Sequence, residues 1–133
     1  MTTETLAILV LVVDDEPLIL NLLQGALEDG GYTVVTASNS VEAIKMLNER
    51  PADYRAVVTD VNLGRGAPTG WDVAKHAREL VPDIPVVYMT GDSAGEWTAN
   101  GVPHSILVPK PFAPAQIVTA VSQLINAPGA TLS

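Results

Sequence analysis

Asp60 stands just past a short apolar run, Ala56-Val57-Val58, and a loop rich in glycine follows it. A lone carboxylate in that position either caps a turn, as Asp often does, or does chemistry at a sheet edge where ligands collect. The same placement recurs along the chain. Asp14 and Asp15 follow the apolar run Leu6 to Val13, Thr90 follows Ile84 to Met89, and Lys110 follows Ser105 to Val108 with Pro109 and Pro111 on either side. Brought to one edge, three carboxylates, a hydroxyl and an ammonium can do phosphoryl chemistry. Packed carboxylates repel one another and are pushed toward protonation unless a cation intervenes. A divalent cation that takes oxygen ligands, most simply Mg²⁺, removes that conflict. One carboxylate can then act as a nucleophile toward a phosphoryl group. Lys110 supplies positive charge and Thr90 a donor hydroxyl where phosphoryl oxygens must be held. Each residue also has a plainer role: Thr90 can open the Thr-Gly turn, Lys110 can be a solvated charge, and Asp15 or Glu16 can cap a helix. For Glu16 the capping role is the one adopted, since acids at helix N-termini are stabilised by the helix dipole.

The elements between these residues decide whether they meet. Leu6 to Val13 reads as a buried strand, and Pro17 suits the first turn of the helix after it. Leu18, Ile19, Leu22, Leu23, Ala26 and Leu27 recur at helical spacing until Gly30-Gly31 stop them. Tyr32 to Ala37 is a second strand. Asn39 with Glu42 three residues on reads as a capping box, opening a helix with Val41, Ile44 and Leu47 inward. The third strand runs into Asp60. Thr69 then caps a helix with Asp72 at its third position and Val73, Ala77 and Leu80 inward. Ile84 to Met89 is a fourth strand, and Asp92 to Asn100 forms only a weak helix, interrupted by Gly95. Ser105 to Val108 is a fifth strand. A last helix, with Pro114 in its first turn, is lined by Ile117, Val118, Val121, Leu124 and Ile125. Strands alternating with helices imply an α/β fold, a parallel sheet with helices on both faces. Such a sheet brings all the carboxyl ends of its strands to one edge.

The bulk properties narrow the function classes. At 133 residues the chain fits one domain, read here as residues 6–126 with tails at 1–5 and 127–133 and nothing appended. It has no cysteine, so disulfide and thiolate-metal frameworks are excluded. The formal charge of −8 arises from 15 acidic and 7 basic side chains without a basic cluster, which argues against direct nucleic-acid binding. The longest apolar run, Leu6 to Val13, is too short to span a bilayer and lacks the basic flank of a signal peptide. A cytoplasmic protein that does not bind membranes is expected.

Over nearly the whole chain, from Leu6 to Ile125, the sequence resembles the receiver domain of two-component response regulators. The resemblance rests on Val12-Val13-Asp14-Asp15-Glu16-Pro17, Asp60, Thr90-Gly91 and Lys110-Pro111-Phe112. It implies a doubly wound, flavodoxin-like sheet of order 2-1-3-4-5, in which strands one and three lie side by side. Carried over by position, Asp60 is the phospho-acceptor, and Asp14, Asp15, Asp60 and the backbone carbonyl of Asn62 hold Mg²⁺. Thr90 and Lys110 bind the phosphoryl oxygens, and the Lys110–Pro111 bond is cis. The implied partners are a histidine kinase or histidine phosphotransfer protein and a downstream protein, and the resemblance also allows a homodimer.

The chain departs from the family pattern in three places. Many receivers carry Phe or Tyr three residues before the lysine, where this chain has Leu107. Tyr88 lies two residues before Thr90 and shares its sheet face, either taking over the switch role or serving as a core tyrosine. The loop Asn62 to Pro68 lacks the usual Met-Pro, and its Arg65 either approaches the phosphoryl group or faces solvent.

The expectation is a response regulator phosphorylated at Asp60, not a turnover enzyme. Its alternatives are a phosphate sink or relay, and a phosphorylation-independent interaction module. A small phosphatase with an aspartyl-phosphate intermediate would need a general acid two residues after the nucleophile. That position is Asn62, which cannot donate a proton in this role.

Overall fold

A computed structural model describes residues 8–64, 68–92 and 94–127. Its strands are β1 (Leu9–Val13), β2 (Thr33–Ala37), β3 (Tyr54–Asp60), β4 (Val86–Thr90) and β5 (Ser105–Pro109). All pair in parallel, as the alternation of strands and helices predicts, in the order β2-β1-β3-β4-β5 that the resemblance implies. Parallel neighbours need crossovers, and α1 (Pro17–Asp29), α2 (Ser40–Glu49), α3 (Gly70–Leu80) and the short α4 (Trp97–Asn100) supply them. α5 (Pro114–Ile125) follows the last strand and packs beside α1.

Both faces of the sheet are covered, which is why β1 is apolar at every position and β3 and β4 along most of their length. Alternate side chains of β1 go to opposite cores. Leu9, Leu11 and Val13 join Ala43, Leu47, Val57, Trp71, Val73 and Tyr88 under α2 and α3. Val10 and Val12 join Leu23, Leu27, Val58, Met89, Ile117 and Val121 under α1 and α5. Each fully buried aliphatic side chain contributes about 2 kcal/mol of transfer free energy, so the sheet centre is the least deformable part of the molecule.

Several helix faces differ from the sequence expectation. Leu18 and Leu22 are 77% and 56% exposed, because α1 carries more apolar residues than one helix face can bury; Leu23 and Leu27 take the sheet-facing stripe. At about 100° per residue, Leu18 and Leu22 fall on the far flank. In α2, Ser40, Ala43 and Leu47 face inward and Val41 is exposed. Trp71 and Ala74 take the place expected of Leu80, which lies at the margin of the buried stripe. The two expected caps are both present, one of them complete. Thr69 and Asp72 form a complete capping box. Asn39 accepts from Glu42 N–H, but the Glu42 carboxylate reaches the N–H of Ser38 instead of returning to Asn39. The expected weak helix is a 3₁₀ turn, Ala94–Glu96, running into the four residues of α4. Among the described residues no helix is long and apolar enough to cross a membrane. Arg65, the tail at 1–5 with the first two residues of the expected first strand, and 128–133 of the other tail lie outside the described residues.

Candidate functional site at the carboxyl edge

The register of β1 on β3 builds the site. Val12 lies opposite Val58 and Val13 opposite Thr59, so the next residues, Asp14 and Asp60, come side by side. Both share the parity of Val12 and Val58 and turn to the face covered by α1 and α5. Lys110 has the parity of Val108 on that same face. Its backbone N–H donates to the Thr90 carbonyl at 2.7 Å, which carries the end of β5 to the end of β4. The Lys110–Pro111 bond is cis, as the resemblance implied.

Lys110 Nζ lies 3.2 Å from Asp60 Oδ2, 3.5 Å from Asp14 Oδ2 and 3.6 Å from Glu16 Oε1. Asp14 is fully buried and Asp60 nearly so, while Asp15 is exposed. Burial pushes the Asp14 carboxyl up to about 6; the Glu16 N–H on Asp14 Oδ1 at 2.8 Å and the Lys110 ammonium oppose this, while Asp60 and Asp15 add to it. Burial also raises Asp60, against the pull of Lys110 and of the Asn62 N–H. Burial alone would lower Lys110, but Asp60 and Asp14 outweigh it and hold the ammonium charged. Charge at this edge is therefore under-compensated, with three carboxylates around one ammonium.

A hard divalent cation fits this set. Carboxylate oxygens of Asp14, Asp15 and Asp60 all lie within 4.8 Å of one another. Three carboxylates gathered this closely repel one another unless a cation or protons intervene. An all-oxygen donor set is also what Mg²⁺ prefers.

The remaining expected residues are placed as follows. Thr90 is buried at the end of β4. Asn62 is exposed, and its side chain donates to Asp92 Oδ1 at 3.0 Å, joining the loops beyond β3 and β4. Tyr88 is fully buried. Its hydroxyl accepts the Val102 N–H at 3.0 Å, and its ring packs on Trp71 with centroids 4.6 Å apart. Tyr88 and Leu107 are register partners on β4 and β5, and both pack in the core under α2 and α3. The aromatic volume missing at Leu107 is thus supplied from the neighbouring strand.

Two contributors were not legible as such. The sequence pattern makes Glu16 a helix cap, yet it makes no side-chain cap bond and its carboxylate reaches Lys110. Gly70, the first residue of α3, donates to the Val61 carbonyl at 2.8 Å. A Cβ there would collide with the Asp60 carbonyl oxygen and stand 2.8 Å from Val61 Cα, so α3 rests directly on the backbone that carries Asp60. A glycine at a helix start, where it gives up helix propensity, was the available signal.

Fold and site together define a doubly wound, flavodoxin-like domain with an acidic cluster at its topological switch point. Comparison with known proteins gives the family: residues 10–122 match the response regulator receiver domain, and the chain belongs to that family. A response regulator receiver protein from Sinorhizobium medicae is 45% identical, with a TM-score of 0.86 over 91% of this chain and 96% of that one. The two-component response regulator ARR11 of Arabidopsis thaliana is 36% identical over 71% of this chain and 18% of its own length. The response regulator SaeR of Staphylococcus aureus is 30% identical over 87% of this chain and 50% of its own. The chain thus spans half or less of these two curated relatives.

Proposed function

We propose that this receiver domain accepts a phosphoryl group on Asp60 from a phosphohistidine of a histidine kinase or histidine phosphotransfer protein. The observation that carries this reading is the Lys110 ammonium 3.2 Å from a nearly buried Asp60 whose neighbours Asp14 and Asp15 complete an oxygen cluster. An Asp60 carboxylate oxygen attacks phosphorus, the P–N bond breaks, and the departing imidazole takes its electron pair and a proton from solvent. Lys110 and the Thr90 hydroxyl hold the phosphoryl oxygens as charge shifts onto them. Asp14, Asp15, Asp60 and the Asn62 carbonyl would hold Mg²⁺, which when bound neutralises charge between acceptor and donor. The domain works as a signalling acceptor without turnover of a substrate, in the cytoplasm. Phosphorylation biases its binding of a downstream protein.

Intact-mass spectrometry after incubation with acetyl phosphate and Mg²⁺ tests the reading. A phosphoryl-sized mass increase in the wild type, absent in Asp60→Asn and after chelation, is expected. An unmodified wild type, or an increase that survives Asp60→Asn, contradicts it.

A further inference from the structure

Of the three carboxylates around Lys110, one stands outside the acidic cluster. Asp14 and Asp60 belong to the trio that gathers with Asp15. Glu16 does not. Its carboxylate, 61% exposed, meets the Lys110 ammonium at 3.6 Å from the solvent side. Its backbone N–H meanwhile fastens Asp14 Oδ1 at 2.8 Å, which fixes Glu16 relative to the cluster. Although Glu16 is the N-cap residue of α1, its side chain makes no capping bond, so the carboxylate is turned to the lysine.

A divalent cation entering among Asp14, Asp15 and Asp60 meets an ammonium already resting on two of them, at 3.5 and 3.2 Å. Like charges at such separations repel strongly in a partly desolvated site, so the ammonium's hold on both carboxylates is weakened. The lysine side chain is only 23% exposed and cannot regain full hydration where it stands. A carboxylate already at ion-pair distance, and outside the cation's ligand set, relieves that conflict.

We propose that Glu16 is a positioning residue for cation loading: it takes over the Lys110 ammonium as the cation takes Asp14 and Asp60, and so raises the affinity of the site. The proposal rests on the metal-dependent reading above and deepens it. Glu16 acts through Lys110 and is not itself a ligand.

Calorimetric titration with Mg²⁺ alone, on the full chain, tests this in four forms: wild type, Glu16→Gln, Lys110→Gln and the double variant. Glu16→Gln keeps the backbone amide and side-chain length and removes only the charge. It should weaken Mg²⁺ binding by roughly three- to tenfold in the wild-type background. Lys110→Gln should tighten binding by removing the competing ammonium, and in that background Glu16→Gln should change affinity by less than roughly twofold. An equal loss in both backgrounds would make Glu16 a general negative charge or a ligand and overturn the proposal. Unchanged affinity of Glu16→Gln alone overturns it equally. A wild type that takes up no Mg²⁺ sinks the metal-dependent reading and this inference with it; binding without coupling between Glu16 and Lys110 sinks only the inference.

Discussion

The two sides of the sheet are built to different standards. On the side of β1 and β3 every strand position that faces a core is buried, α1, α2 and α3 span 13, 10 and 11 residues, and two carboxylates sit inside with one lysine between them. On the side of β5 the covering helix α4 has four residues, Ser105, Ile106 and Leu107 are half-buried, and an open groove of about 380 Å³ runs between β5 and α5. Holding like charges together demands a frame that cannot relax, and dense packing on both sheet faces provides it. A segment with few buried contacts opens at lower free energy. The acidic cluster sits in the rigid half, and Lys110 reaches it from the end of β5, in the adaptable one.

Gly70→Ala attacks the rigid half where it is tightest. The added methyl meets the Asp60 carbonyl and Val61 Cα, both backbone, so α3 or the end of β3 must shift. A stability loss of about 3 kcal/mol is expected in urea denaturation, along with slower phosphoryl uptake, since Asp60 itself moves. A loss below about 1 kcal/mol would mean that this half is as adaptable as the other.

A pH effect of similar or smaller size should come from Asp14. Its folded-state pKa is raised from 3.8 to about 6, so the folded protein binds this proton more tightly than the unfolded chain does. In chelator, the stability that Asp14 contributes is greatest below about pH 4 and is lost as pH rises through about 6. The change is on the order of 3 kcal/mol by linkage. Asp60 is shifted in the same direction. Comparing wild type with Asp14→Asn isolates the effect: the variant's relative stability should grow as pH rises across that window. A relative stability of the variant that is flat or falls as pH rises contradicts the burial argument.

Tyr88→Phe probes the seam between the halves and should do least. It removes the acceptor of the Val102 N–H while keeping the ring on Trp71, at a cost of about 1 kcal/mol. Hydrogen exchange should quicken at Val102 and its neighbours and stay unchanged in β1 and β3. Uniform acceleration across the sheet would erase the distinction between the two sides.

Much of this was legible in the sequence because each apolar run ends in a different kind of chemistry-bearing residue. Parallel pairing then brings Asp14, Asp60 and Lys110 to one edge, and the family resemblance sets β1 beside β3; that the three share a face is seen in the structure. The parts that were not legible depend on distances the pattern does not encode. Glu16 has the ordinary composition of a helix start, and only the fold shows its carboxylate at Lys110. Leu18, Leu22, Val41 and Leu80 fit the helical period as well as their buried neighbours do, since the apolar stripe in the sequence is wider than the one the sheet can cover. Leu107 reads as a missing aromatic until its register partner Tyr88 is seen filling the same core.

The central claim, that Asp60 is the acceptor, is tested most directly by locating the phosphoryl group. Borohydride reduces an aspartyl phosphate to an alcohol, marking the modified carboxyl permanently, and peptide sequencing by mass spectrometry then reads its position. The reduced side chain is predicted at Asp60 and nowhere else. Label at Asp14 or Asp15, or phosphorylated protein with no reducible carboxyl, would contradict the account.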